Sequence, residues 1–351
     1  MRETFVSVRR VEGGQNSKYR IGMRCGMRRL ALACLVPVGM WFSVVAAQTA
    51  QWSPVSAVEI VVSTGVGGAQ DRLARVMQGI IQNELTPVPV VVVNKPGGAG
   101  MIAGAYLNRS PSDGHSLLIT SAVILANHIM GRSKFTYTDM TPVAQLFNEY
   151  PVLAVRSESP IKSPSDLLAR LKESPDSVSI GLTTFGSVHH LSLTKAAKAA
   201  GINPRDLKIV VFKSGGEALT ATMGGHVDAT ISSLSNFISP LEAGTIRALV
   251  ISAPQRMPGV VANVPTWRDL GVDSVFSNFR IVFGPRGLSA SQVAYWEQVL
   301  SKMVSLSAWT KEEQNNYWAS AYLNSAQARQ ALVSEYASQK IILTDLGMAK
   351  Q

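Results

Sequence analysis

The stretch that most constrains this chain is Glu59-Ile60-Val61-Val62-Ser63-Thr64-Gly65-Val66-Gly67-Gly68-Ala69-Gln70-Asp71-Arg72. Its apolar start reads as a buried strand and its glycines as a tight loop. Beyond it Leu73, Val76, Met77, Ile80 and Ile81 recur at i, i+3, i+4, i+7 and i+8, one face of an amphipathic helix. Glycine removes Cβ where the chain must turn sharply and where a ligand could approach the backbone. The helix start leaves N–H groups without intrahelical acceptors at the positive end of the helix dipole, which suits an anion. A plain strand-to-helix turn explains the same residues equally well. Neither G-x-x-x-x-G-K-[ST] nor a clean G-x-G-x-x-G is present, so nucleotide and dinucleotide loops are unsupported.

Strand-like and helix-like segments alternate through the rest of the chain, which favours an α/β architecture. Pro89 to Val93 is a continuous β-branched run of the kind buried on both faces, and Lys208 to Phe212 reads as another buried strand. Asn94-Lys95-Pro96-Gly97-Gly98-Ala99-Gly100 forms a second glycine-rich loop, read mainly as shaping the chain. Val152 to Val155 opens a new section. Ser163-Pro164-Ser165-Asp166 carries a helix-start signature, and Gly201 sits where a helix should end. Asn278 to Phe283 is a strand that could return the chain to its first part. Helices are expected over about 290–304 and 325–337.

Residues 1–47 stand apart from this pattern. Arg28-Arg29 precede the apolar run Leu30 to Ala46, and small residues end it at Val45-Ala46-Ala47, as in a cleavable secretory signal. The apolar run is about 17 residues long, so an uncleaved anchor is the alternative. Residues 1–22 lie ahead of that signal, and Met23 or Met27 could be the true start. Removing 1–47 changes the charge argument. Of 33 Lys/Arg and 23 Asp/Glu, eight bases and two acids lie there, which leaves 25 against 21 and a net charge of +4 instead of +10. No dense basic stripe remains, so a nucleic-acid partner is not expected. Both cysteines, Cys25 and Cys34, fall in the same segment, so the remainder has no thiol chemistry.

Three constellations carry possible chemistry. Thr183, Thr184, Gly186 and Ser187 make a hydroxyl-rich loop that opens a helix; it could hold a carboxylate, although capping by Ser187 is the ordinary reading. His189-His190 lacks the further ligands that a metal site needs. Ser192-Leu193-Thr194-Lys195 matches S-x-x-K and suggests a serine hydrolase using Ser192 and Lys195, but no S-D-N follows and no G-x-S-x-G elbow occurs.

Taken together the residues resemble the Bug-type solute receptors of tripartite tricarboxylate transporters, over about 58 to 346. The resemblance rests on Gly67-Gly68-Ala69-Gln70-Asp71-Arg72, Val93-Asn94-Lys95-Pro96-Gly97-Gly98-Ala99-Gly100 and Pro111-Ser112-Asp113-Gly114-His115. It continues in Gly186-Ser187-Val188-His189-His190-Leu191, Phe212-Lys213-Ser214-Gly215-Gly216, Gly224-Gly225-His226-Val227-Asp228 and Asn263-Val264-Pro265-Thr266. It implies a two-lobed periplasmic binding protein of type II-like fold, with a ligand cleft between lobes. The expected division is 48–150 and 278–351 for one lobe and 151–277 for the other. It also implies a non-enzymatic, monomeric periplasmic receptor without cofactor. Such a receptor binds a small organic carboxylate and delivers it to a two-component membrane permease; a sensor with the same pocket is the rival. Carried across residue by residue, the ligand loops are Thr64, Val66, Gly67, Gly68 and Asp71 on one lobe. On the other they are Thr184, Phe185, Gly186, Ser187 and His190, with Ser121 and Ser233 as further wall residues. The family's loop usually has prolines before the glycines and then a third glycine; here Gly65-Val66 and Ala69 take those places. Asp71 would repel an acidic ligand, so its expected role is to accept loop or helix N–H groups.

Overall fold

The computed structural model describes residues 52–350, so the targeting segment read over 1–47 lies outside the described residues. A first run of elements comprises β1 (Val58–Val62), α1 (Ala69–Ile80), β2 (Val90–Asn94), α2 (Met101–Arg109), β3 (Ser116–Thr120), α3 (Val123–Ile129) and β4 (Thr141–Glu149). The second run is β5 (Pro151–Arg156), α4 (Pro164–Glu173), β6 (Ile180–Leu182), α5 (Val188–Ala199), β7 (Ile209–Val211), α6 (Gly215–Met223), β8 (Ala229–Ser233), α7 (Ile238–Glu242) and β9 (Ile246–Ile251). The chain closes with β10 (Asn278–Gly284), α8 (Ala290–Ser305), α9 (Ser307–Asn316), β11 (Ala319–Leu323) and α10 (Ser325–Asp345).

These strands form two sheets of mixed direction. The first has the order β11-β4-β10-β3-β1-β2, with β1, β2 and β3 parallel and β10 antiparallel to both β3 and β4. The second has the order β7-β6-β8-β5-β9, with β6 parallel to β7 and β8, and β5 antiparallel to its two neighbours. This is an α/β architecture of two mixed sheets, as the sequence resemblance implies. The chain passes from the first sheet to the second through Tyr150 alone, between Glu149 and Pro151, and returns between Ile251 and Asn278. The two passages lie side by side: Asn278 pairs opposite Glu149 in one sheet, and Val152 opposite Ile251 in the other.

Two strands differ from the sequence reading. β2 and β7 are edge strands, and Val91 and Val211 are 40% and 51% exposed. A β-branched run reports strand propensity and partial cover by helices; it carries no information on whether a second strand pairs alongside. By contrast, α4 begins as its sequence requires. Ser163 Oγ accepts from Asp166 N–H at 3.1 Å while the Asp166 carboxylate accepts from Ser163 N–H at 3.0 Å, and Pro164 fills the first turn.

Apolar layers cover both faces of each sheet. Ile60, Val62, Leu73 and Met77 join Trp296 and Trp309 on one face of the first sheet. On its other face Val61, Leu118 and Phe283 form a core that also takes in Val188 and Leu191 of α5, so a helix of the second sheet's half packs into the first half. Leu153, Ile180, Leu193 and Trp267 fill one side of the second sheet, and Val152, Phe237 and Ile251 the other. β11 is held to β4 by more than its ladder: the Trp318 and Phe147 rings stack at 4.2 Å with 12° between planes. Trp318→Ala should destabilise the protein by about 3–5 kcal/mol, the usual cost of removing a buried aromatic. The measurement is the shift in urea unfolding midpoint at unchanged slope.

Candidate functional site

All six parallel strands end at one cavity of about 510 Å³ between the two sheets. Ser63 and Thr64 follow β1, Pro96 and the glycines follow β2, and Ser121 follows β3. On the opposite wall Thr183 and Thr184 follow β6, Phe212 follows β7, and Ser233 ends β8. In open α/β sheets the carboxyl ends of parallel strands are where ligands sit, because helices begin there. Here α1, α2, α3, α5 and α6 all start at the cavity wall. The starts are not equivalent. α5 and α6 are capped by Ser187 and Ser214, whose hydroxyls accept from His190 N–H at 3.4 Å and Glu217 N–H at 3.1 Å. The caps of α1 and α2 are Gly68 and Gly100, which offer no side-chain acceptor. The first half therefore presents N–H groups that its own side chains do not cap.

The glycine loop after β1 is held from behind. Asp71, 3% exposed, accepts from Gly67 N–H at 3.0 Å, from Arg75 at 3.0 and 3.1 Å, and from Asn94 Nδ2 at 2.9 Å. Asn94 also donates to the Thr64 carbonyl at 3.1 Å, tying the first loop to the end of β2. Burial pushes the Asp71 carboxyl up, but the donors from Arg75, Gly67 and Asn94 outweigh it and hold the group below its ordinary value. Gly67 has φ +80°, a conformation open to glycine but strained for other residues. Gly97, Gly98, Ala99 and Gly100 all have positive φ, and Asn127 Nδ2 donates to the Ala99 carbonyl at 2.8 Å. This second loop lines the cavity as well as shaping the chain.

In the second half, Gly186 has φ +78°, and a Cβ there would collide with Met130 of α3. Its N–H donates to His190 Nδ1 at 3.1 Å, and the His190 ring stands edge-on to Phe185 at 5.0 Å. His190 is thus a support for the loop behind the wall, whereas its neighbour His189 lines the cavity. Burial, followed by the charge of Arg280, lowers His189 to about 3; burial, followed by Arg132, lowers His190 to about 4. Both imidazoles are neutral at pH 7. Two arginines of the first half reach carbonyls of the second: Arg72 Nη1 donates to Ser235, and Arg132 Nη1 donates to Phe185 at 2.9 Å.

Of the residues drawn from the family resemblance, Thr64, Gly68, Ser121, Thr184, Ser187 and Ser233 line the cavity. Val66, Gly67, Asp71, Phe185, Gly186 and His190 do not; Val66 is 71% exposed and the others shape or brace the two loops. Sequence reasoning missed Lys213, Asn236, Asn278 and Arg280 in the wall. A charged residue inside the apolar strand Asn278 to Phe283 was the available signal for Arg280. Ser192 is fully buried, with its hydroxyl 2.5 Å from that of Ser252, while Lys195 lies on the surface 3.8 Å from Asp273; neither lines the cavity. Among the described residues no group of three His, Cys, Asp or Glu could hold a metal ion, and no helix is long and apolar enough to cross a membrane.

Comparison with known proteins places this geometry. The model of the family described as "Tripartite tricarboxylate transporter family receptor" matches residues 73–348. Protein BugT of Bordetella pertussis is 30% identical over 241 residues, which cover 67% of this chain and 72% of BugT. Among solved structures, MatC from Rhodopseudomonas palustris with bound malate is 25% identical at a TM-score of 0.75, covering 83% of this chain and all of MatC. Another R. palustris protein, solved with adipate, is 25% identical at a TM-score of 0.78, covering 84% of this chain and 99% of its own.

The two buried histidines give a pH prediction. Their folded-state values lie below the ordinary 6.5, so between those values the unfolded chain binds more protons than the folded one. Their effect on stability is therefore nil above about pH 6.5 and increasingly unfavourable as pH falls from there toward about 4. The slope is about 1.4 kcal/mol per pH unit for each histidine. His189→Gln should lose stability less steeply than the native sequence between pH 6 and 4, measured by urea unfolding at each pH.

Proposed function

The chain belongs to the tripartite tricarboxylate transporter receptor family, and we propose that it is a periplasmic receptor that binds a small organic carboxylate between its two sheets and delivers it to a two-component membrane permease. One observation carries this reading. The cavity is walled by hydroxyls, glycine backbone and helix starts, and among the described residues it carries two cationic side chains, Lys213 and Arg280, and no Asp or Glu. A wall of donors without a carboxylate attracts an anion and repels nothing about it. That MatC holds malate and its R. palustris relative adipate supports the same ligand class here.

The mechanism follows from the chain path. The halves 52–150 with 278–350, and 151–277, act as two bodies joined at the passages near Tyr150 and 252–277. The ligand's carboxylate meets the uncapped N–H groups of α1 and α2 on one body and, on the other, the hydroxyls of Thr184 and Ser187 once their hydrogens turn from the Thr183 and Thr184 carbonyls that they reach at 2.6 and 2.7 Å. Closure removes water and strengthens each of those hydrogen bonds. A micromolar complex needs about 8 kcal/mol. Helix dipoles contribute only about 0.3–1 kcal/mol each, so direct hydrogen bonds from both bodies supply most of the affinity. The receptor works as a monomer, and its role ends with release of the unchanged ligand.

A thermal-shift screen of the mature protein against malate, adipate and other small carboxylates tests the reading. A ligand at 100 times its dissociation constant should add about 2.7 kcal/mol of stability. No shift with any carboxylate would overturn it. Gly68→Asp should abolish the shift. A side chain at Gly68 enters the gap beside Thr64 Oγ1 at 3.2 Å and Ser214 Cβ at 3.7 Å, and it brings a negative charge to the anion's place.

A further inference from the structure

Arg280 is placed unusually for a structural arginine. It rises from β10 into the cavity wall and is only 3% exposed, whereas the other cation there, Lys213, is exposed. Its carboxylate partner is Glu149, 1% exposed on β4, which does not line the cavity. A structural arginine–carboxylate pair usually meets fork to fork, with two parallel hydrogen bonds. Here Arg280 contacts Glu149 through Nη2 alone. The second Glu149 oxygen is taken by Ser235 Oγ at 2.5 Å. Nη2 also donates to Ser233 Oγ at 3.2 Å. With its amide turned so that the oxygen faces Arg280, Asn278 accepts from Nη1 at 3.0 Å. Arg280 Nε is buried and has no acceptor at all. A buried N–H without a partner is costly, so a guanidinium kept in this state at a cavity wall has donor capacity that the protein's own groups leave unused.

The surroundings suit an anion. Around Arg280 stand Ser233, Asn278 and His189, whose Nε2 lies 3.4 Å from Ser233 Oγ and whose ring is neutral. Glu149 offsets the charge of Arg280 but is occupied by Nη2 and Ser235 and does not line the cavity. The uncapped helix starts of the first half, already assigned to one carboxylate, belong to other wall segments, Gly68 and Gly98 to Gly100. We infer that Arg280 is the specificity-determining residue of the cleft, taking a second carboxylate and so selecting dicarboxylates over monocarboxylates. This rests on the receptor reading above and deepens it.

The test compares diacids with ligands of the same length that lack one charge. Succinate, glutarate and adipate, and their half-amides, are titrated calorimetrically into the native protein and into Arg280→Lys and Arg280→Gln. The native protein should bind the best diacid at least ten times more tightly than its half-amide. Arg280→Gln should weaken diacid binding by roughly ten- to a hundredfold, Arg280→Lys by less, and half-amide binding should change less than threefold in both. Because Arg280→Gln leaves Glu149 unpaired and could unfold, the double variant Arg280→Gln/Glu149→Gln is measured beside it. Equal affinity for diacid and half-amide in the native protein overturns the assignment while leaving the receptor reading intact. So does an equal loss for both ligands in the variants, the signature of a purely structural role. A native protein that binds none of these acids overturns the assignment, and the receptor reading falls with it only where the wider carboxylate screen is blank as well.

Discussion

A helix cannot satisfy its own first N–H groups, and this fold gathers five helix starts around one space. The consequence is a concentration of donors, of which those that open α1 and α2 meet no side-chain cap. Everything else at the site arranges those donors. The glycines let backbone come to the surface, Asp71 and Asn94 pull the first loop taut from behind, and Ser187 and Ser214 cap the helices of the opposite wall. Acids are kept out of the described wall, and Asp71 and Glu149 behind it are consumed by donors, Asp71 by Arg75, Gly67 and Asn94 and Glu149 by Arg280 and Ser235.

Much of the architecture was legible because it rests on local chemistry. The strand–glycine–helix unit at Glu59 to Ile80, the capping box at Ser163 and the glycine stop at Gly201 are determined by a few neighbouring residues, and the structure has each of them. What escaped depends on distant partners. The edge positions of β2 and β7 follow from sheet order, which no run of valines encodes. β4, α9 and β11 carry weak periodicity and are set by packing around Phe147, Trp309 and Trp318.

The same distinction divides the site. Thr64, Gly68, Thr184 and Ser187 lie in motifs and were found; Asn278 and Arg280 lie in a strand remote from those motifs and were not. His190 shows the limit of motif reasoning in the other direction. It is part of the recognisable Gly-Ser-x-x-His pattern, yet its nitrogen is committed to Gly186 N–H, so the motif preserves a loop shape there and its neighbour faces the ligand space.

The single-residue passage at Tyr150 has a mechanical consequence. Glu149 is the last residue of one sheet and Pro151 the first of the next, so this joint has little slack beyond the backbone torsions between them. The longer return segment is pinned as well, for Thr266 bridges to Ile251 and Trp267 is buried in the second half's core. In the closure proposed above, so short a joint favours a swing about an axis near Tyr150 over a slide of one half along the other, and such a swing would bring opposing walls back into the same alignment each time.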